Sequence, residues 1–314
     1  LSTAGSRPVI TAALVRELVD AQFPQWAGLP LKPVEPGGSD HVIYRLGGEL
    51  SVRLPRHADA RGQAEKEFTW LPRLAPHLPL AVPVPVAVGE PGSGYPWRWS
   101  VARWLEGEVA TVEALAGSRA AAVALAEFLT ALHRFTPENP PSEELRGGLS
   151  AEEPRGGLSA EEPRDGLVAR PLAERDRATR AAIQQVGDVF DRAALTRLWD
   201  AALSAPAWDR PPVWSHGDFH TGNLLTLDGR LSAVIDFGEL GVGDPARDLM
   251  IAFTLLSAES RAVFRDALGV DDATWTRGRG WALATGLNAY TFYAAVNPRV
   301  AAQTTRQITE ALAG

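Results

Sequence analysis

The sequence predicts an α+β protein in two lobes, a strand-rich one over residues 1–104 and a mainly helical one over residues 105–314. Three observations carry this. Short β-rich runs crowd the first hundred residues, and two of them flank the turn pair Gly47-Gly48. From residue 112 onward apolar residues recur at helical spacing over most of the chain. With 314 residues, 45% apolar and 22% charged, the chain can bury more than one core and is not of disordered composition.

Taken in order, Pro8 opens an amphipathic helix with Leu14, Val15 and Leu18 near one face, ending before Pro24. The loop Pro36-Gly37-Gly38-Ser39-Asp40-His41 leads into a hairpin whose strands cover 42–46 and 49–55. Residues 63–75 read as a helix with Phe68, Leu71 and Leu74 facing inward and Pro72 bending or ending it. Two further strands, 82–88 and 97–105, complete the first lobe. Residues 112–135 then read as one helix burying Val123, Leu125, Phe128, Leu129 and Leu132.

Residues 143–169 repeat a nonapeptide three times, with the unit Glu152-Glu153-Pro154-Arg155-Gly156-Gly157-Leu158-Ser159-Ala160 at the centre. A unit so short and rich in turn residues does not fold alone, so the segment is expected to be a loop. Helical patterns resume over 171–209 and 246–312, the latter with Trp275, Trp281, Tyr290, Phe292 and Tyr293, most of them expected in the core.

Composition narrows the functions. The chain has no cysteine, which excludes disulfides, thiolate nucleophiles and thiolate metal sites. The net charge of -7 is uneven, +2 over residues 1–104 and -9 over the rest. A duplex nucleic-acid partner needs a basic face and is not expected; the acidic second half is either a solvated surface or an attraction for a cationic small molecule. No apolar run is long enough to span a bilayer, and the opening LSTAGSRPVI is not a signal peptide, so no membrane partner and a cytoplasmic location are expected. The expected state is a monomer or a dimer.

The densest chemistry lies between Trp214 and Gly238. Asp218 and Asn223 are separated by four residues, Asp236 follows thirteen residues after Asn223, and Asp228-Gly229 marks a hairpin turn between them. That hairpin would return Asp236 to the side of Asn223. Phosphoryl transfer needs a carboxylate to take the proton of the attacking hydroxyl and oxygen ligands to hold Mg2+ against the nucleotide phosphates. The segment supplies both, in order.

The motifs His216-Gly217-Asp218-Phe219-His220-Thr221-Gly222-Asn223, Val234-Ile235-Asp236-Phe237-Gly238, Gly243-Asp244-Pro245-Ala246-Arg247-Asp248-Leu249 and Leu125 to His133 resemble those of the aminoglycoside phosphotransferase family. The resemblance spans about residues 10–300 and implies a bilobal protein-kinase-like fold. It also implies a small-molecule kinase using ATP or GTP and Mg2+, with a hydroxyl-bearing acceptor such as an aminoglycoside or a related cationic antibiotic. A macrolide, a peptide antibiotic or a metabolic amino sugar or amino alcohol would use the same machinery. On this resemblance Asp218 is the catalytic base, Asn223 and Asp236 bind Mg2+, and His216, Asp244 and Asp248 support the catalytic loop.

In the small lobe the resemblance places a basic residue on the third strand, paired with a helix glutamate. Here Arg53 stands where lysine is usual, and Glu67 is its expected partner, with Glu65 turned to solvent. Gly38 and Ser39 fall where a nucleotide-covering loop is expected, although the full G-x-G-x-x-G is absent. Arg103 and Trp104 fall at the hinge that would read the nucleotide base. A protein kinase is disfavoured by the missing His-Arg-Asp and Ala-Pro-Glu wording. A regulator that binds nucleotide without turnover is supported only by Arg53.

Overall fold

The computed structural model describes residues 8–35, 37–38, 40–136, 167 and 169–314. Ser39 and all of the nonapeptide segment except Leu167 and Ala169 lie outside the described residues.

The first lobe is a five-stranded antiparallel sheet in the order β1-β2-β3-β5-β4: β1 Leu31–Pro33, β2 His41–Leu46, β3 Leu50–Pro55, β4 Pro85–Gly89 and β5 Trp99–Arg103. The expected hairpin is β2–β3, turning at Gly47, whose φ of +62° suits glycine. Helix α1, Ala12–Gln22, starts where the Thr11 hydroxyl accepts from the Leu14 N–H at 3.2 Å. It lays Val15, Leu18 and Val19 on Tyr44, Leu46, Val52, Leu54 and Val101, and this cluster is the core of the sheet.

Helix α2, Gln63–Leu74, joins the lobes. Its buried stripe runs Gln63, Glu67, Trp70, Leu71 and Leu74. Phe68 was expected on that face but is 44% exposed, because it lies about 100° around the helix from Glu67. Leu71 and Leu74 do face inward, and with Trp70 they pack into the core of the helical lobe.

That lobe begins with α3, Val112–Leu115, and α4, Arg119–Arg134. The sequence reading of one continuous helix fails at Gly117-Ser118, where the Ser118 hydroxyl accepts from Ala121 N–H at 3.1 Å and caps a new helix. Leu125, Phe128, Leu129 and Leu132 are buried as expected, while Val123 is only partly so. Helices α5, Asp176–Gln185, and α6, Arg192–Ser204, follow. Beyond the catalytic segment come α7 Ile251–Thr254, α8 Ala258–Leu268, α9 Asp272–Tyr293 and α10 Pro298–Ala313. Trp275 and Trp281 on α9 are core residues, but Phe292 and Tyr293 at its end are 71% and 52% exposed. No described helix is long and apolar enough to cross a membrane.

His133, in the last turn of α4, gives a pH handle on this core. Its Nε2 is sealed from solvent without a hydrogen-bond partner, and burial lowers its pKa to about 4. Such a histidine binds a proton more readily unfolded than folded, so its contribution weakens stability as pH falls from the ordinary histidine range towards 4. Replacing it by methionine removes that term. The stability of His133→Met relative to wild type should improve by about 1–2 kcal/mol between pH 7 and pH 5, read from urea unfolding at each pH.

Candidate active site

The candidate segment, residues 213–243, is built from two hairpin-like pairs. Strand β7, Val213–Ser215, pairs antiparallel with β10, Gly241–Gly243. Between them β8, Leu224–Leu227, and β9, Arg230–Val234, form the hairpin predicted from Asp228-Gly229, both at positive φ (52° and 73°). Short β6, Glu108–Val109, flanks β8. The hairpin returns the chain so that Ile235 N–H donates to the Asn223 carbonyl at 2.9 Å. Asn223 and Asp236 are thereby brought side by side.

Asp218 sits on the loop between β7 and β8, and that loop is held from below. The buried Asp248 carboxylate accepts from His216 N–H and Gly217 N–H, both at 2.8 Å. Burial raises the Asp248 pKa to about 6 against the pull of those amides. His216 uses both ring nitrogens: Nδ1 accepts from Asp218 N–H at 3.2 Å and Nε2 donates to the Ile235 carbonyl at 3.0 Å. Burial lowers its pKa to about 4, so the ring is neutral at pH 7 and acts as a brace between the two halves of the site. Asp244 turns elsewhere, to a bidentate pair with Arg277 of α9 at 2.6 and 3.0 Å.

Gly217 has φ +84°, and a Cβ there would lie 2.2 Å from the Glu239 carbonyl oxygen, a backbone atom that cannot swing aside. Gly217→Ala should therefore cost about 1–3 kcal/mol of stability, measured by chemical denaturation, and displace Asp218 enough to lower turnover in the same protein.

The Asp218 carboxylate is 44% exposed. Its Oδ2 lies 3.3 Å from Asn223 Nδ2, which also donates to the Asp218 carbonyl at 2.9 Å, and 3.5 Å from His220 Nε2. Burial pushes its pKa up, but the hydrogen bond and charge of His220, with smaller help from His216 and Arg247, hold it at about 2. Burial opposes protonation of His220, and Asp218 outweighs it to raise the imidazole pKa.

Asp236 occupies the left-handed region, φ 64° and ψ 69°, at the end of β9. Burial raises its pKa while Arg53 draws it down. Arg53, in the middle of the fully buried β3, reaches Glu67 Oε2 through Nη1 at 2.5 Å and Asp236 Oδ1 through Nη2 at 3.4 Å. The guanidinium thus bridges the two lobes. Glu65, the rejected alternative, pairs with Arg98 at the surface.

Among the described residues no group of three or more His, Asp or Glu side chains could hold a metal. A two-ligand Mg2+ site is compatible with what is present. The Asn223 amide spends its donor side on Asp218, leaving its oxygen as an acceptor, and the backbone bond from Ile235 to the Asn223 carbonyl brings Asp236 next in the chain. Hard oxygen donors of this number suit Mg2+, which takes its other ligands from phosphate and water.

Gly37 and Gly38 lie in the loop before β2; the Arg56 guanidinium would be 2.8 Å from a Cβ on Gly37, and its Nε donates to the His41 carbonyl at 3.1 Å. At the expected hinge, Arg103 N–H donates to the Val84 carbonyl and Trp104 N–H to the Glu49 carbonyl, so both amides are already used within the protein. The Arg103 side chain is exposed and faces Glu49, while Arg45 stacks over the Trp104 ring. Sequence reasoning did not find Arg56, Arg247, which pairs with Glu239 at 2.9 Å, or Lys66, which reaches Gly238. Only the position of Lys66 beside Glu67 hinted at the last.

Comparison with known proteins agrees with this architecture. A family model described as "Phosphotransferase enzyme family" matches residues 30–281. A curated aminoglycoside 3'-phosphotransferase of Escherichia coli is 33% identical over 60 residues, a stretch covering 19% of this chain and 22% of that protein. The GDP and kanamycin complex of APH(2")-IIIa superposes with a TM-score of 0.70 at 19% identity, covering 95% of this chain and 98% of that one. The macrolide 2'-phosphotransferase MphH of Brachybacterium faecium superposes with a TM-score of 0.58 at 24% identity, covering 94% and 97%. The structural likenesses support the bilobal α+β fold, and the family model, matched over most of the length, shows that the chain belongs to the phosphotransferase enzyme family.

Proposed function

We propose that the chain transfers the γ-phosphate of ATP or GTP to a hydroxyl of a small molecule, with Asp218 as base. In this reading the acceptor oxygen attacks the γ-phosphorus, its proton passes to an Asp218 carboxylate oxygen, the bond to the β-phosphate oxygen breaks, and the nucleoside diphosphate leaves. Asn223 and Asp236 would hold Mg2+, which when bound neutralises charge on the phosphates. Arg53, oriented by Glu67 and reaching Asp236, would contact phosphate as the basic residue of this strand. The loop that holds Gly38 would cover the phosphates, and the backbone at Arg103 and Trp104 would lie beside the base.

The observation that supports this most is the hairpin return that brings Asp218, Asn223 and Asp236 together, with the Asp218 carboxylate part-exposed. A carboxylate held at about 2 is a weak base in isolation and serves chiefly to orient the hydroxyl, which suits a loose transition state. For the acceptor we propose an aminoglycoside or related cationic antibiotic, in keeping with the excess acidity after residue 104. The likeness to macrolide phosphotransferases makes a macrolide the second candidate.

The test is nucleotide consumption, with ATP and GTP each offered aminoglycosides, macrolides and amino sugars. Consumption that rises only when an aminoglycoside is present is the expected result. A response to macrolides alone would overturn the acceptor class, and nucleotide binding with no response to any acceptor would favour the regulator reading.

A further inference from the structure

The first two turns of α2 bury three polar side chains: Gln63, Lys66 and Glu67 are 2%, 8% and 1% exposed. Glu67 holds Arg53. The other two reach the turn that follows Asp236. Lys66 Nζ donates to the Gly238 carbonyl at 2.6 Å, a short charge-assisted bond. Gln63 packs so closely on Gly238 that a Cβ there would lie 2.5 Å from its Oε1. Gln63 Nε2 also donates to Asp40 Oδ2 at 3.2 Å, and the Asp40 carbonyl accepts from Arg56 N–H at 2.7 Å at the base of the glycine loop.

The turn so held needs outside restraint. Asp236 keeps a left-handed backbone, which costs a residue bearing a Cβ some strain. Upstream the restraint comes from the helical lobe, through His216 to the Ile235 carbonyl and Ile235 to the Asn223 carbonyl. Downstream, Lys66 anchors it from a helix that packs against the small-lobe sheet. An ammonium buried at this depth is retained only where it has partners, and the carbonyl two residues past Asp236 is one of them.

Resting on the reading of Asp236 as a Mg2+ ligand, we infer that Lys66 is a positioning residue: by holding the Gly238 carbonyl it sets the direction of the Asp236 carboxylate. With Gln63, which holds Asp40, it ties the start of β2 to the turn after Asp236. The placement of α2 therefore governs two things together, the Arg53–Glu67 pair and the metal ligand.

Calorimetric binding of ADP or GDP, once with Mg2+ and once with EDTA, separates this from a merely structural role. Wild type is expected to bind more tightly with Mg2+, and Asp236→Ala to lose that enhancement. Lys66→Met should reduce the enhancement about tenfold while affinity in EDTA stays within about twofold of wild type, and Lys66→Arg should restore most of it. Should Lys66→Met fail to fold, Gly238→Ala, which presses Gln63 away from the turn, should produce the same loss. Full enhancement in folded Lys66→Met, or equal losses with Mg2+ and with EDTA, would overturn the inference. Retained enhancement in Asp236→Ala is a different result, and it would remove the metal-ligand reading itself.

Discussion

Asp218→Asn is expected to lower acceptor-dependent turnover by about a hundred- to ten-thousandfold while leaving nucleotide affinity nearly unchanged. The substitution keeps the size of the side chain but removes its charge and turns one acceptor oxygen into a donor. Its neighbours explain why binding should survive: the loop is held by Asp248 at the amides of His216 and Gly217, and by the His216 ring at the Asp218 N–H, none of which involves the Asp218 carboxylate. What is lost is the anion that orients the hydroxyl and takes its proton. Because Asp218 is held at about 2, its own titration should not shape the rate above about pH 4. Steady-state rates and equilibrium nucleotide binding measured on the same preparation check both halves of the expectation.

Arg53→Met is expected to cost about 3–5 kcal/mol of stability, because it strands the Glu67 carboxylate in the interior without its partner. Burial works against the charge on Arg53, and Glu67, then Asp236, hold it protonated, so the pair is mutually dependent. One Glu67 oxygen already lacks a partner, which leaves no second donor to compensate. The double variant Arg53→Met/Glu67→Met should regain most of the lost stability and none of the turnover. Arg53→Lys should keep Glu67 paired and fold normally. Denaturant unfolding with rates on all three variants distinguishes a structural pair from one that also serves the phosphates.

Much of the site was legible because its residues are close in sequence. A strong turn signal at Asp228-Gly229 is a local event, and from it the meeting of Asn223 with Asp236 follows by strand geometry alone. The Arg53–Glu67 pair was legible for a related reason, since one helical stripe decides between Glu67 and Glu65. The misreadings have the opposite origin. Phe68 fits an apolar face on its own, but the stripe through Glu67 and Trp70 won because the second lobe packs against it. The break at Gly117-Ser118 was hidden by helix formers on both sides, although Ser118 is an ordinary N-cap. Asp248 and Lys66 act over 31 and 172 residues of sequence, and no spacing rule brings such pairs together.

The most direct test is to follow the γ-phosphate itself. With γ-labelled ATP or GTP and the acceptor that stimulates turnover, label should appear as a phosphate ester on a hydroxyl of that acceptor in wild type, and Asp218→Asn should form almost none. Label recovered only as free phosphate, or ester formed equally well by Asp218→Asn, would contradict phosphoryl transfer through Asp218.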